Sequence, residues 1–289
     1  MNKGRGFVWT CVRQGLASLD PLSLAKVLRS ESRLARAVLR KSYVLFCFAQ
    51  FGFMLPAVAD ELQVAVTANV SPVFADLSLA FKHATGHTLK ASVGSSGKLT
   101  AQIENGAPYD VFLSADLEYP RRLQEKSYAV GELRVYAYGV LVWWTCRDID
   151  LSQWQRQVRE QRWAKIAIAN PKLAPFGRAA VHLLEHFHLF EKAQPNLIYG
   201  ESIAQVNQAI FSGAVDAGLT AKAVVVAPEM AGKGHWLELS QDAYQALPQV
   251  AVVLKHGQKN VPLASAAFLN FLATADAQAI LKKYGYRLP

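Results

Sequence analysis

The sequence predicts an α/β protein of two lobes, each built on a mainly parallel sheet, joined to one another by two crossing strands. Three observations carry this expectation. From Leu62 onward, short β-rich runs alternate with helical patterns, as they do when helices cover a parallel sheet. The 289 residues suffice for one large domain or two lobes of about 100–150 residues each. Two apolar strand-like runs, at 135–145 and 246–254, flank the second set of units and make suitable crossings.

The elements follow in order. Residues 62–67 read as a strand and 72–84 as a helix with Phe74, Leu77 and Phe81 on one face. A strand at 88–93 leads to a helix at 98–105 that Gly106 ends, then to a strand at 109–114 and a helix at 117–125. After the β run at 135–145 come strand 165–169, helix 177–190, strand 196–199, helix 203–211 and strand 217–219. Strand 250–254 precedes two closing helices, the last near 276–284. No fixed-period repeat is present. Lobe one is therefore expected at 60–140 plus 249–289, and lobe two at 141–248.

Composition narrows the function. With 52% hydrophobic and 18% charged residues, the chain is neither disordered nor collagen-like. The net charge of +9 is concentrated at one end. Residues 1–59 hold nine of the 31 basic residues and two of the 22 acidic ones, leaving 22 against 20 in the rest. A nucleic-acid-binding body is disfavoured. Within 1–59, Arg36, Arg40 and Lys41 precede an apolar run at 43–55, and Ala57-Val58-Ala59 follows. These are the three parts of a secretory signal peptide, with cleavage expected after Ala59. The run is shorter than the roughly 20 residues of a membrane-spanning helix. Residues 1–59 are thus an N-terminal extension and signal peptide, and the protein is expected to be exported. Cys11 and Cys47 fall in that segment. Cys146 is then alone in the mature chain, which excludes an internal disulfide or a four-Cys metal site.

Chemistry gathers where strands end and helices begin. Thr67-Ala68-Asn69-Val70-Ser71-Pro72 is one such junction, with Ser71 suited to cap the helix and Pro72 to its first position. Gly94-Ser95-Ser96-Gly97 is a second, the stretch from Asn170-Pro171 to Gly177 a third, and Gly200-Glu201-Ser202 a fourth. Each offers unpaired main-chain N–H groups and the positive end of a helix dipole, at the carboxyl edge of a sheet where ligands bind. Helix N-termini suit oxyanions. Lys98 and Arg178 are the nearest cations and are expected to be solvated. A site of donors alone suits a fully deprotonated oxyanion.

These turns and their flanks, with Gln102-Ile103-Glu104-Asn105-Gly106-Ala107-Pro108, Asp110-Val111-Phe112-Leu113-Ser114-Ala115-Asp116 and Lys283-Tyr284-Gly285-Tyr286, resemble the periplasmic molybdate-binding proteins of ABC importers over residues 62–286. The resemblance implies a type II periplasmic-binding-protein fold that closes on molybdate or tungstate between its lobes. It further implies a monomer in the periplasm, without catalysis or cofactor, that delivers the ion to the membrane subunits of an ABC permease. Carried over by position, the first-lobe donors are Asn69 and Ser96, with Ser95 beside them; the second-lobe donors are the N–H groups of Phe176 and Ile203. The likeness is to the branch with Asn in the first anion-binding turn. The best-known branch has Ser at Asn69, and a Tyr hydroxyl where this chain has Ala221 or its neighbours.

Two other readings stay open. A receptor of this kind could serve sulfate or phosphate instead. His182-Leu183-Leu184-Glu185-His186 spells the H-x-x-E-H pattern of inverted zinc hydrolases, with His182 and His186 on one helix face and Glu185 as base. That reading needs a third ligand; the plain alternative is a polar stripe. Trp143-Trp144 reads as part of the crossing strand rather than a sugar-stacking platform.

Overall fold

The computed structural model describes residues 59–289; the signal-peptide expectation lies almost wholly outside them. Residues Val58–Pro289 form one compact unit built on two five-stranded sheets. The first sheet begins with β1 (Glu61–Thr67), α1 (Ser71–Thr85), β2 (Thr88–Gly94), α2 (Ser96–Glu104), β3 (Val111–Ser114), α3 (Glu118–Glu125) and β4 (Ala129–Gly139). The chain then enters the second sheet through β5 (Leu141–Thr145), α4 (Trp154–Arg159), β6 (Ile166–Ala169), α5 (Pro175–His186), α6 (Phe190–Ala193), β7 (Leu197–Gly200), α7 (Ile203–Phe211), β8 (Ala217–Ala221), α8 (Lys222–Val225) and β9 (His235–Glu238). It returns with β10 (Leu247–Leu254), α9 (Lys255–Asn260), α10 (Pro262–Phe271) and α11 (Ala275–Lys283).

Strand order is β2-β1-β3-β10-β4 in the first sheet and β7-β6-β8-β5-β9 in the second. The sheets are mixed rather than mainly parallel. β1 is parallel to β2 and β3, and β6 to β7 and β8. β10 runs antiparallel to β3 and β4, and β5 antiparallel to β8 and β9. A strand arriving from the other sheet needs no helical crossover and is free to pair antiparallel. The expected single run at 135–145 is divided at Val140 into β4 and β5, one strand for each sheet. The second crossing lies between Glu238 and Leu247, because β10 belongs wholly to the first sheet.

Alternation along β1 explains its two-sided burial. Leu62, Val64 and Val66 pack with Val73, Phe74, Leu77 and Phe81 of α1, while Ala65 packs on the other face with Leu99 and Ile103 of α2. α1 stops at Gly86, whose left-handed φ of 81° lets its N–H reach the Lys82 carbonyl at 2.8 Å. α8 departs from a simple two-part division of the chain: Ala223 and the following Ala227 pack into the first-sheet core beside α1.

One glycine decides where α5 begins. A Cβ on Gly177 would lie 2.2 Å from the Ala169 carbonyl oxygen at the end of β6. Backbone cannot yield as a side chain does, so Gly177→Ala should cost about 2–3 kcal/mol, in the range of overpacked cores. Urea unfolding of the two proteins checks this; equal midpoints would contradict it.

Candidate functional site

The strand-to-helix junctions of β1, β2, β6 and β7 converge on one cavity. It is lined by Asn69, Ser95 and Ser96 from the first sheet and by Phe176 and Ile203 from the second, so all five residues expected from sequence stand together. Its volume is about 10 Å³, far below the roughly 300–1,000 Å³ of pockets for drug-sized ligands. A sugar or a peptide is too large. A cavity of about 290 Å³ lies beyond Pro175, but its Asp116 and Glu118 are both engaged by Arg178.

Local geometry leaves donors in the small cavity. Ser96, Phe176 and Ile203 stand in the first turns of α2, α5 and α7, where no carbonyl lies four residues back within the helix. Among the described residues, their main-chain N–H groups and that of Asn69 have no carbonyl partner. The Ser95 side chain caps α2, accepting from the Lys98 N–H at 3.3 Å. Ser71 does not cap α1; Val70 holds that position without a side-chain bond.

Ser96 is buried and oriented from behind. Its Oγ accepts from the Ala115 N–H at 3.3 Å and from the Ser114 hydroxyl at 3.3 Å, and that hydroxyl lies 3.1 Å from Asp116 Oδ1. With Ala115 and Ser114 filling its two lone pairs, the Ser96 proton is free for the cavity.

Asn69 is held differently from the sequence expectation. Gln249 Nε2 donates to the Leu247 carbonyl at 2.8 Å, so its Oε1 faces Asn69 and accepts from Nδ2 at 2.6 Å. This chain fixes both amide orientations. Tyr286 donates to the Asn69 carbonyl at 2.8 Å and takes a longer contact of 3.4 Å from Nδ2. Burial pushes the Tyr286 phenol well up, so it stays a donor. The Asn69 amide nitrogen is thus committed to the protein, leaving its main-chain N–H as the donor without a partner.

Lys98 is exposed, as expected, but paired, and Arg178 is mostly buried. Lys98 Nζ meets Glu201 Oε1 at 2.8 Å, and Arg178 pairs with Asp116 and, at 3.3 Å, with Glu118. Both pairs span the cleft, as do Gly97 N–H to the Leu173 carbonyl at 2.8 Å and the Tyr119 hydroxyl to the Lys172 carbonyl at 3.1 Å. Burial raises the Asp116 carboxyl above the ordinary aspartate range, with Arg178 pulling the other way.

Sequence reasoning missed four supporting side chains. Ser114 aims Ser96 with Asp116 beside it, yet Ser114 reads as the end of strand 109–114 and Asp116 only as part of the resemblance. Gln249 stands in the apolar run of β10, and only its polarity there marks it. Thr67 opens the first junction but has no role of its own in the sequence; it lines the cavity, and its buried hydroxyl has no partner among the described residues. On α5, His182 is half-buried and Glu185 and His186 are exposed. Among the described residues no three His, Cys, Asp or Glu side chains stand close enough to hold a metal ion, so the H-x-x-E-H pattern lacks its third ligand.

Two mixed-sheet α/β lobes shut over a donor-lined cavity define a solute receptor. Residues 62–287 match the family of bacterial extracellular solute-binding proteins, and the chain belongs to it. Within that family it falls among the ModA relatives. It is 37% identical over 236 residues to the molybdate-binding protein ModA of Rhodobacter capsulatus, covering 81% of this chain and 91% of that one. The solved structure of the Azotobacter vinelandii periplasmic molybdate-binding protein superposes with a TM-score of 0.74 at 32% identity, over 79% of this chain and 99% of that one. The sulfate-binding protein SubI of Mycobacterium tuberculosis shares the fold at 15% identity, with a TM-score of 0.66 over 79% and 87%.

The cross-cleft pairs make a prediction. Arg178 is about a quarter exposed and Asp116 less, whereas Lys98 is half exposed. Arg178→Met strands a buried carboxylate and should cost about 2 kcal/mol, between the surface and buried extremes. Lys98→Met should cost under about 1 kcal/mol. Chemical denaturation compares them, and equal losses would remove the distinction.

Proposed function

We propose that the protein captures molybdate or tungstate as the dianion in this cavity and delivers it to the membrane subunits of an ABC permease. The observation that carries the reading is the donor set: unpaired main-chain N–H groups and one steered hydroxyl, with the adjacent cations spent on carboxylates. The ModA relatives, named for molybdate, support the choice of ion. In this reading Asn69 contributes its main-chain N–H, Ser96 its hydroxyl and N–H, Ser95 the cap that shapes the turn, and Phe176 and Ile203 their N–H groups. Lobe one, 60–140 with 249–289, closes on lobe two, 141–248. Capture takes place in the periplasm after removal of residues 1–59, with the protein acting as a monomer without catalysis or cofactor.

Neutral, fixed donors recognise an ion by where its oxygens lie. Hydrogen phosphate carries a proton, and among the described residues no carboxylate lines the cavity to take it. Sulfate has the charge of molybdate but is smaller, and cannot meet donors of both lobes at good distance, since hydrogen bonds weaken beyond about 3.2 Å. Calorimetry against molybdate, tungstate, sulfate and phosphate tests this. Molybdate and tungstate should bind nearly equally; sulfate within tenfold of molybdate would defeat the size argument, and tighter sulfate or phosphate would replace the ligand.

Ser96 gives the sharpest variant. Ser96→Ala removes one hydrogen bond to a charged group and should weaken molybdate binding by about 1.5–3 kcal/mol, or roughly 10–150-fold. Titration of the variant with molybdate measures it. A loss below threefold would show that the hydroxyl does not reach the ion.

A further inference from the structure

We infer that Gln249 is the positioning residue of the anion turn and the point where that turn meets the hinge. The inference rests on the oxyanion reading and goes beyond it, because Gln249 reaches the ion only through Asn69. β10 reads Leu-Pro-Gln-Val-Ala-Val-Val-Leu, and its one strongly polar side chain is fully buried. A buried amide left unpaired costs about 1–3 kcal/mol, so its place in an apolar strand needs partners. It has them on both sides, the Leu247 carbonyl behind and the Asn69 amide in front.

The backbone around Gln249 is irregular at this level. Gln249 pairs with Ala137, but the next residue, Val250, pairs with Val135, leaving Tyr136 as the extra residue of a bulge in β4. Bulges re-aim side chains and recur beside binding sites. Three residues past Tyr136, Gly139 ends β4 at the first crossing. A Cβ there would lie 2.8 Å from the tip of the Phe176 ring and 3.0 Å from Gln249 Nε2. One hinge residue therefore touches a donor-bearing residue of the second lobe and the amide that orients a donor-bearing residue of the first.

The consequence is mechanical. Asn69 lies 180 positions from Gln249 in the chain, and the turn that carries it has few other restraints on its side chain. The amide chain from Leu247 through Gln249 to Asn69 sets where the Asn69 N–H points. Closure brings Phe176 onto Gly139, against the same amide. The donor of lobe one is thus in register when the donor of lobe two arrives.

A double-mutant cycle tests this, with molybdate titrated by calorimetry into the wild-type protein, Gln249→Leu, Asn69→Ala and the double variant. Gln249→Leu should weaken binding at least tenfold. In the Asn69→Ala background the same change should alter affinity less than twofold, because its route to the ion is already gone. Gln249→Asn keeps the amide but not the reach; it should lose affinity like Gln249→Leu, and carries the comparison should the leucine variant not fold. Wild-type affinity in both Gln249 variants, or the same fold loss with and without Asn69, would overturn the inference. Wild-type protein that binds neither molybdate nor tungstate would overturn the oxyanion reading itself and this inference with it.

Discussion

Unpaired main-chain N–H groups at the first turns of helices are the constraint on which the rest of this molecule depends. A helix start always leaves such groups over, and burying them away from an acceptor is costly. Here the starts of α2, α5 and α7, together with the turn before α1, are brought to one small cavity and shut there. The arrangement is stable only if an acceptor of many oxygens completes it or the lobes open to water. The same geometry that makes the cleft a poor place for a carbonyl makes it a good one for an oxyanion.

Charge is handled so that this constraint is not relieved from within. Asp116, Glu118 and Glu201 face Arg178 and Lys98 across the cleft, each carboxylate with a cation from the opposite lobe. These pairs draw the lobes together while cancelling locally, and among the described residues the lining of the cavity carries no charged side chain. Selection is then left to oxygen positions, which suits a receptor that must tell anions of equal charge apart. Asp116 also stands beside the site, its Oδ1 3.1 Å from the Ser114 hydroxyl that reaches Ser96.

Much of this was legible in the sequence, and the physical reasons are specific. Helix 203–211 was read to the residue because Ile203, Val206 and Ile210 repeat at helical spacing and Gly200 and Gly213 bracket the run. The junction residues were readable because Ser, Asn, Pro and Gly mark strand ends and helix starts by local chemistry. What local chemistry does not encode is which long-range partner a polar group takes. Asn69 looks like a free donor until Gln249, far along the chain, claims its amide. Arg178 looks solvated until Asp116 is placed opposite. β9 was missed because His235-Trp236-Leu237-Glu238 is a half-exposed edge strand with no buried face to impose alternation. The break at Val140 was missed because the apolar run continues through it; only the change of sheet divides β4 from β5.

Two glycines where the lobes meet, Gly97 and Gly139, show how closure can be both tight and reversible. Gly97 brings its N–H to the Leu173 carbonyl across the lobes, and a Cβ there would stand 2.8 Å from the Tyr119 hydroxyl and 3.0 Å from that carbonyl. Gly139 admits the Phe176 ring at the hinge in the same way. At both places the lobes meet by backbone approach rather than by interdigitated side chains. Such a contact forms without repacking a core, so opening forfeits a few hydrogen bonds and ion pairs rather than a large apolar area. Those are bonds that water can replace. The ion, which engages donors of both lobes at once, then becomes the element that decides the balance between open and shut, and that is the property a receptor needs if its closed form is to signal a captured ligand.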